Sequence, residues 1–465
     1  MDFKDRKVLI FGLGLLGGGV ATTNWFLKQG ARVTVTDLKT KEQLEPSLKK
    51  INGGIQLKLG GHDKNDILTN DIIVCNQDVS INNPYIQLAI KEGKQVETEG
   101  TLFFKIFPKK IIGITGTRGK TTTTVWANTF LQLIYQSTTV GNFGDVNPFM
   151  EIVDKGNEFD TAVAEIPSFQ LEYFQFINRN PDIIAITNLS EDHLNRHGNM
   201  SNYALVKANI FKYQTSNQHL ILNHNNEWTE FFISQKPQSH IWQFSKEKLP
   251  ANFDGLYYEK NGIFLQEKGN TKLVLSVGDF VKEKGEHNLE NLLASSLVAH
   301  LADVPWEKIQ SAVSTLPPIK FRQEVIFRNE RLTIINDTTA TSPEGTIQAI
   351  KRFGSPETIL IIGGTDRDLN FKELGEIIPQ FIQPDNLVFL AGSATEKIRL
   401  ALGNFAVDCP SYDSLQECIE VTLKKASQYP KSVVLFSPAS KSFEKFKNEY
   451  DRGEQFNELV EDYYG

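Results

Sequence analysis

Short apolar runs rich in valine and isoleucine alternate along the chain with longer amphipathic stretches, the pattern of parallel sheets covered by helices. Runs at 8–11, 33–36 and 72–75 predict strands in the first hundred residues, with helical segments between them. A basic, proline-bearing link, Phe107-Pro108-Lys109-Lys110, leads into a strand at 111–115, where a second βα series begins. That series runs through 161–166, 183–189 and 220–223, turns to hairpin-like segments at 256–266, and closes with helices at 288–301 and 306–314. Leu316-Pro317-Pro318-Ile319-Lys320 then removes backbone donors and restricts dihedral angles, as a linker does. Beyond it, runs at 332–335, 359–362, 387–390 and 433–436 alternate with helices in a third set. The class is α/β, with domains expected at 1–108, 109–316 and 317–465.

Length agrees with this division, because 465 residues at roughly 150 per domain give about three. Hydrophobic residues at 40% and charged residues at 23% indicate buried cores and exclude a disordered chain. Lys plus Arg number 49 against 56 Asp plus Glu, a net charge of -7, so nothing global points to nucleic acid or an anionic membrane. Cys75, Cys409 and Cys418 are scattered and form no CxxC pair, which suits a reducing cytosol. No stretch reaches 18 apolar residues, and charged N-terminal residues pass directly into a strand-like run, so a cytoplasmic protein is expected.

The strongest chemical signal is Ile111-Ile112-Gly113-Ile114-Thr115-Gly116-Thr117-Arg118-Gly119-Lys120-Thr121, a strand running into a glycine-bearing turn and a helix. Glycines let backbone amides face phosphate oxygens, Lys120 supplies charge to the outer phosphates, and the Thr121 hydroxyl suits Mg2+. Ile114 stands where the longer GxxxxGK[ST] spacing has its first glycine, leaving the compact form Gly-Thr-Arg-Gly-Lys-Thr. Residues 100–144 carry five basic side chains and no acidic one, which concentrates positive charge around the turn.

Near the amino end, Gly12-Leu13-Gly14-Leu15-Leu16-Gly17 follows a strand, and Asp37 lies 20 residues beyond Gly17. This pattern recognises a pyrophosphate at a helix N-terminus. It is weak about which nucleotide, NAD(P) or a nucleotide-sugar diphosphate, and a purely structural glycine turn remains open. Glu165 and Glu191-Asp192-His193 follow strand-like runs in the middle domain, where open α/β sheets place ligands. Hard oxygen ligands beside phosphates suit Mg2+, so Glu165 pairs sensibly with Thr121, and His193 with a second ion. Taken by itself, Lys207 reads as a surface helix lysine.

The phosphate loop, Glu165-Ile166-Pro167-Ser168-Phe169-Gln170-Leu171-Glu172, Asn188-Leu189-Ser190-Glu191-Asp192-His193 and Tyr203-Ala204-Leu205-Val206-Lys207 together resemble the Mur ligases of peptidoglycan synthesis. Gly141-Asn142-Phe143-Gly144, His287-Asn288-Leu289-Glu290-Asn291, Asn336-Asp337-Thr338-Thr339-Ala340-Thr341, Gly363-Gly364-Thr365-Asp366-Arg367 and Ser437-Pro438-Ala439-Ser440 extend the resemblance over the whole chain. It implies a Rossmann-like N-terminal domain, a central P-loop ATPase-like domain and a C-terminal Rossmann-like domain. The implied reaction is ATP-dependent ligation of glutamate, in its D or L form, to UDP-N-acetylmuramoyl-L-alanine by way of an acyl phosphate.

The resemblance also assigns roles. Gly116, Thr117, Arg118, Gly119, Lys120, Thr121 and Thr122 would bind ATP, with Asn288 and Asn291 at the adenine, Asp337 at the ribose and Arg322 at the phosphates. Two Mg2+ ions are implied, on Thr121, Glu165, His193 and a carbamylated Lys207, and Asn142 would orient the substrate carboxylate. Leu15, Leu16, Asp37, Leu38, Ser168 and Gln170 would hold the UDP-sugar, and Thr341, Arg367 and Ser442 the glutamate. The proline link would act as a hinge, and a monomer without nucleic-acid or membrane partners is expected. Four positions depart from the family's usual residues: Pro167 for Ser, Phe321 for His, Thr339 for Lys, and Glu449 where an aromatic is common. An oxidoreductase built on the first glycine turn and a folate-extending ligase of the same superfamily are the competing readings, and neither accounts for all three sets of motifs.

Overall fold

The computed structural model describes residues 2–15, 17–141 and 147–464. The chain divides into two compact units, Met1–Pro317 and Pro318–Gly465. Among the described residues the first unit holds two sheets and the second holds one.

The first sheet is formed by β1 (Lys7–Phe11), β2 (Arg32–Asp37), β3 (Gln56–Leu59), β4 (Ile72–Cys75) and β5 (Gln95–Thr98). Its strands are parallel and ordered β3-β2-β1-β4-β5. Alternate residues bury on opposite faces: Val8 and Ile10 pack with Trp25 and Phe26, while Leu9 and Phe11 pack with Ile86 and Ala89. Strand order reverses between β1 and β4, and open sheets of this kind take ligands in the crevice beyond the carboxyl ends of such strands.

The second sheet contains β6 (Lys110–Thr115), β7 (Ser137–Val140), β8 (Thr161–Glu165), β9 (Ile183–Ile186), β10 (His219–Asn223), β11 (His240–Ser245), β12 (Gly255–Glu259), β13 (Gly262–Glu267) and β14 (Asn270–Ser276). Its order is β14-β13-β12-β11-β10-β9-β6-β8-β7, parallel from β7 to β12 and antiparallel through β13 and β14. The hairpin expected at 256–266 is β12–β13, and Lys260 and Asn261 turn it with φ of 48° and 63°. β6 sits between β9 and β8, so the ends of three adjacent strands surround the phosphate-type loop.

In the second unit, β15 (Glu324–Arg328), β16 (Leu332–Asn336), β17 (Thr358–Ile362), β18 (Leu387–Leu390), β19 (Ser411–Tyr412) and β20 (Ser432–Phe436) are ordered β15-β16-β20-β17-β18-β19. Only β15 pairs antiparallel, with β16. No helix among the described residues is long and apolar enough to cross a membrane.

Candidate active site

β6 ends at Thr115, and after four residues the helix Lys120–Leu131 begins. Gly116 and Gly119 adopt φ of 149° and 79°. A Cβ on Gly116 would meet Thr187 Oγ1 at 1.9 Å and one on Gly119 would meet Asn291 Oδ1 at 2.2 Å, so glycine is required at both. The turn is held from β9's side: Thr117 N donates to Asn188 O (2.9 Å), Arg118 N to Asn188 Oδ1 (2.9 Å), and Thr187 Oγ1 to Arg118 O (2.6 Å). Lys120 Nζ donates to Thr117 O at 2.9 Å. Thr121 and Thr122 are buried in the helix's first turn, which carries neither an acidic residue nor a side-chain cap. Such a helix N-terminus favours an anion.

Glu165 closes β8 and lies opposite Ile114 of β6 in register. It is 2% exposed, and its Oε2 is buried without a hydrogen-bond partner. A buried carboxylate oxygen left this way is costly, and a hard cation would satisfy it, so this donor fits Mg2+. His193 has φ of 54° at the start of the short helix Leu194–His197, and its amide donates to Asp192 Oδ1 at 2.9 Å. Phe169 packs edge-on against its ring at 4.8 Å.

Lys207 corrects the surface-lysine reading. It is 1% exposed, and its Nζ donates to Gly116 O at 2.9 Å and Thr115 Oγ1 at 3.3 Å, with the Tyr203 ring 4.8 Å away. Burial first, and then the charge of Lys120, push this amine well below the usual lysine range. Tyr203, given no individual role on sequence grounds, also meets the loop, its hydroxyl 3.3 Å from Thr117 Oγ1. Asn291 Nδ2 donates to Asn288 Oδ1 (3.1 Å), and Thr123 Oγ1 donates to Asn291 Oδ1 (3.3 Å), which puts both asparagines beside the loop's helix. Asn142 and Leu16 lie outside the described residues.

At the first sheet, Asp37 is buried and ties two turns together: its Oδ2 accepts from Gly14 N (3.1 Å) and its Oδ1 from Lys39 N (2.9 Å). Leu15 and Leu38 flank it at 51% and 71% exposure, leaving apolar surface open beside the carboxylate. Ser168 Oγ pairs with His197 Nε2 at 3.0 Å. Gln170 Oε1 accepts from Thr98 Oγ1 at 2.5 Å, while its Nε2 is buried without a partner.

In the second unit, Asp337 Oδ1 accepts from Gln323 N (3.0 Å) and Oδ2 from Ser437 Oγ (2.7 Å), and burial raises its pKa to about 7. The charge of Arg322 acts in the opposite direction on this group. The Ser440 and Ser442 hydroxyls are buried without partners, and the Arg367 guanidinium lies over the Phe443 ring at 4.8 Å. Thr341 N donates to Thr339 O at 2.9 Å. Two departures from the family pattern touch each other: Thr339 donates to Phe321 O from its amide (3.2 Å) and its hydroxyl (2.7 Å). Arg452, which no motif flagged, is wholly buried and donates to Thr338 O (2.8 Å), Ser440 O (3.1 Å) and Lys441 O (3.2 Å), supporting the loop that carries Ser442.

Residues 6–98 match the N-terminal domain of MurD-like Mur ligases, and residues 114–299 match the Mur ligase middle domain. The UDP-N-acetylmuramoylalanine--D-glutamate ligase of Roseiflexus sp. (strain RS-1) is 32% identical over 472 residues, covering 100% of each chain. The chain belongs to the Mur ligase family. A further UDP-N-acetylmuramoylalanine--D-glutamate ligase, from Clostridioides difficile (strain 630), is 32% identical over 99% of each chain. Among solved structures, the UDP-N-acetylmuramate-alanine ligase MurC of Thermotoga maritima has a TM-score of 0.60 at 18% identity, over 98% of this chain and 99% of that one. The MurF ligase of Thermotoga maritima, solved in complex with ADP, has a TM-score of 0.57 at 16% identity, over 99% and 95%. These two likenesses carry the α/β Mur ligase fold. Family membership removes the oxidoreductase reading of the first glycine turn.

Proposed function

We propose that this Mur ligase uses ATP to join D-glutamate to UDP-N-acetylmuramoyl-L-alanine. The observation that carries the reading is the end-to-end likeness to relatives bearing that name, at 32% identity over 100% of both chains. The phosphate loop, the unpartnered Glu165 oxygen and the buried Lys207 support it.

A carboxylate is a poor electrophile, so the alanyl carboxylate needs activation before an amine can attack. Its oxygen takes the γ-phosphoryl group of ATP, giving an acyl phosphate and ADP. The glutamate amine then attacks the acyl carbon, the bond to the phosphate oxygen breaks, and amide, phosphate and a proton result. The loop from Gly116 to Thr122 holds the outer phosphates through the Lys120 ammonium and the helix N-terminus, while Thr117 N and Arg118 N stay bonded to Asn188. Thr121 and Glu165 would hold one Mg2+, and His193 with a carbamylated Lys207 a second; bound Mg2+ would neutralise charge on the phosphoryl group. Carbamylation needs a neutral amine, which adds to CO2 with loss of a proton, and the depressed basicity of Lys207 favours that form.

Asn288 and Asn291 serve the adenine, Asp337 the ribose and Arg322 the phosphates. Leu15, Leu16, Asp37, Leu38, Ser168 and Gln170 serve the UDP-sugar, Asn142 its carboxylate end, and Thr341, Arg367 and Ser442 the glutamate. On this reading the enzyme is a cytoplasmic monomer acting on soluble substrates. Phosphate release from ATP with the UDP-sugar, measured without amino acid, with D-glutamate and with L-glutamate, tests it. D-glutamate-dependent release is expected; release only with L-glutamate would change the amino acid and keep the chemistry, and release with neither would overturn the ligase.

A further inference from the structure

Arg196 stands three residues after His193 on the helix Leu194–His197, and its guanidinium is almost fully engaged. Nε donates to Glu172 Oε1 at 2.7 Å and Nη2 to Glu172 Oε2 at 2.8 Å, a bidentate pair whose side chains are 12% and 6% exposed. Nη1 donates to Asp78 O at 2.9 Å, and Nη2 to Gln77 O and Val79 O at 3.2 Å each. One face of the guanidinium lies on the Phe169 ring at 4.3 Å, the ring that also packs against His193. Glu172 adds its own hold, its Oε2 accepting from Ile81 N at 3.2 Å.

The gripped segment, 77–81, follows β4 at the carboxyl end of the first sheet, and it begins beside β1, where Asn76 N donates to Phe11 O. It therefore borders the crevice between β1 and β4. The residues that grip it belong to the second sheet's site, within a few positions of Ser168, Gln170 and His193. Bonding three consecutive carbonyls with one planar cation fixes orientation more tightly than packing alone would. A lysine could supply the charge and could not reproduce the fork.

We infer that Arg196 and Glu172 form a positioning clamp that sets the distance from the nucleotide crevice of the first sheet to the carboxylate-activating groups of the second. The inference rests on the ligase reading above. A substrate that spans both sites gains from this clamp, because binding energy at its UDP end is converted into placement of its carboxylate end. A substrate confined to the second site gains nothing from it.

The test compares kcat/KM for UDP-N-acetylmuramoyl-L-alanine with that for the same sugar-peptide carrying only a 1-phosphate, in wild type, Arg196→Lys and Glu172→Gln full-length enzyme. Misplacement by about an ångström costs on the order of 10²-fold. A loss of that order on the UDP substrate is expected in both variants, with less than about 3-fold on the truncated one and an unchanged KM for ATP. Equal losses on the two substrates, or no loss, would overturn the clamp. Should Arg196→Lys fail to accumulate, Glu172→Gln, which keeps the side chain's size but turns one accepting oxygen into a donor facing Arg196 or Ile81 N, decides alone. Absence of amino-acid-dependent phosphate release in the wild type would instead sink the ligase reading, so the two failures are separable.

Discussion

The turn after β1 and the turn after β6 both leave a buried strand and open a helix, yet their polar groups are committed differently. After β1, Gly14 N is bonded to Asp37, which also takes Lys39 N, so a carboxylate knits two neighbouring turns into one surface flanked by exposed Leu15 and Leu38. After β6 the anchoring comes from the neutral Asn188, and the side chains that gather are the cation Lys120 and, beneath the loop, the buried amine of Lys207. One turn offers an apolar shelf steadied by an anion. The other offers the Lys120 charge at the N-terminus of a helix. Glycines make both turns possible, and on the proposed reading their side-chain company separates recognition of a base from handling of phosphates.

Substitutions on the two sides should diverge accordingly. Lys120→Ala should have the largest effect, lowering kcat about 10³-fold in steady-state phosphate release, because it removes charge that acts on the transferring group. Lys207→Ala should cost about 10²-fold. Short-chain carboxylates should restore part of that rate if the missing group is an anionic carbamate, and a loss they cannot rescue would argue against the modification.

Asp37→Ala touches the other turn. It should raise the KM for the UDP substrate roughly 10-fold, the cost of a charged hydrogen bond, and leave kcat near wild type. An equal fall in kcat would erase the distinction between the turns.

The smallest effect belongs to the second unit. Asp337 has its folded pKa raised to about 7 from 3.8, so between those values the folded chain is protonated there and the unfolded chain is not. This group's contribution to stability therefore falls as pH rises through that window. Asp337→Asn should remove that dependence, and the melting temperature of the variant relative to wild type should climb across the same interval.

Several strands were legible because their apolar runs are continuous: 72–75 and 387–390 coincide with β4 and β18. β5 escaped notice because Gln95-Val96-Glu97-Thr98 places a carboxylate in the sheet. Glu97 is fully buried there, met by Lys105 (2.5 Å) and Thr101 (2.6 Å), a satisfaction that only tertiary structure supplies. β7, Ser137-Thr138-Thr139-Val140, is an edge strand whose buried face is largely threonine, and it carries no apolar signal. The phosphate loop was readable because its chemistry is local in sequence. The grip of Arg196 on 77–79 and that of Arg452 on Thr338 join segments more than 100 residues apart, and no spacing rule reports such a pairing.

The boundary at Pro317 and Pro318 is crossed once, and no strand of the first two sheets comes from beyond it. Synthesis on the ribosome therefore delivers every residue of β1 to β14, including the loop from Gly116 to Thr122 and Lys207 beneath it, before the last third of the chain exists. Domains generally fold as units in the order they emerge. The phosphate-handling part of the enzyme can thus take shape in the nascent chain while Arg322, Asp337 and Arg367 remain to be made.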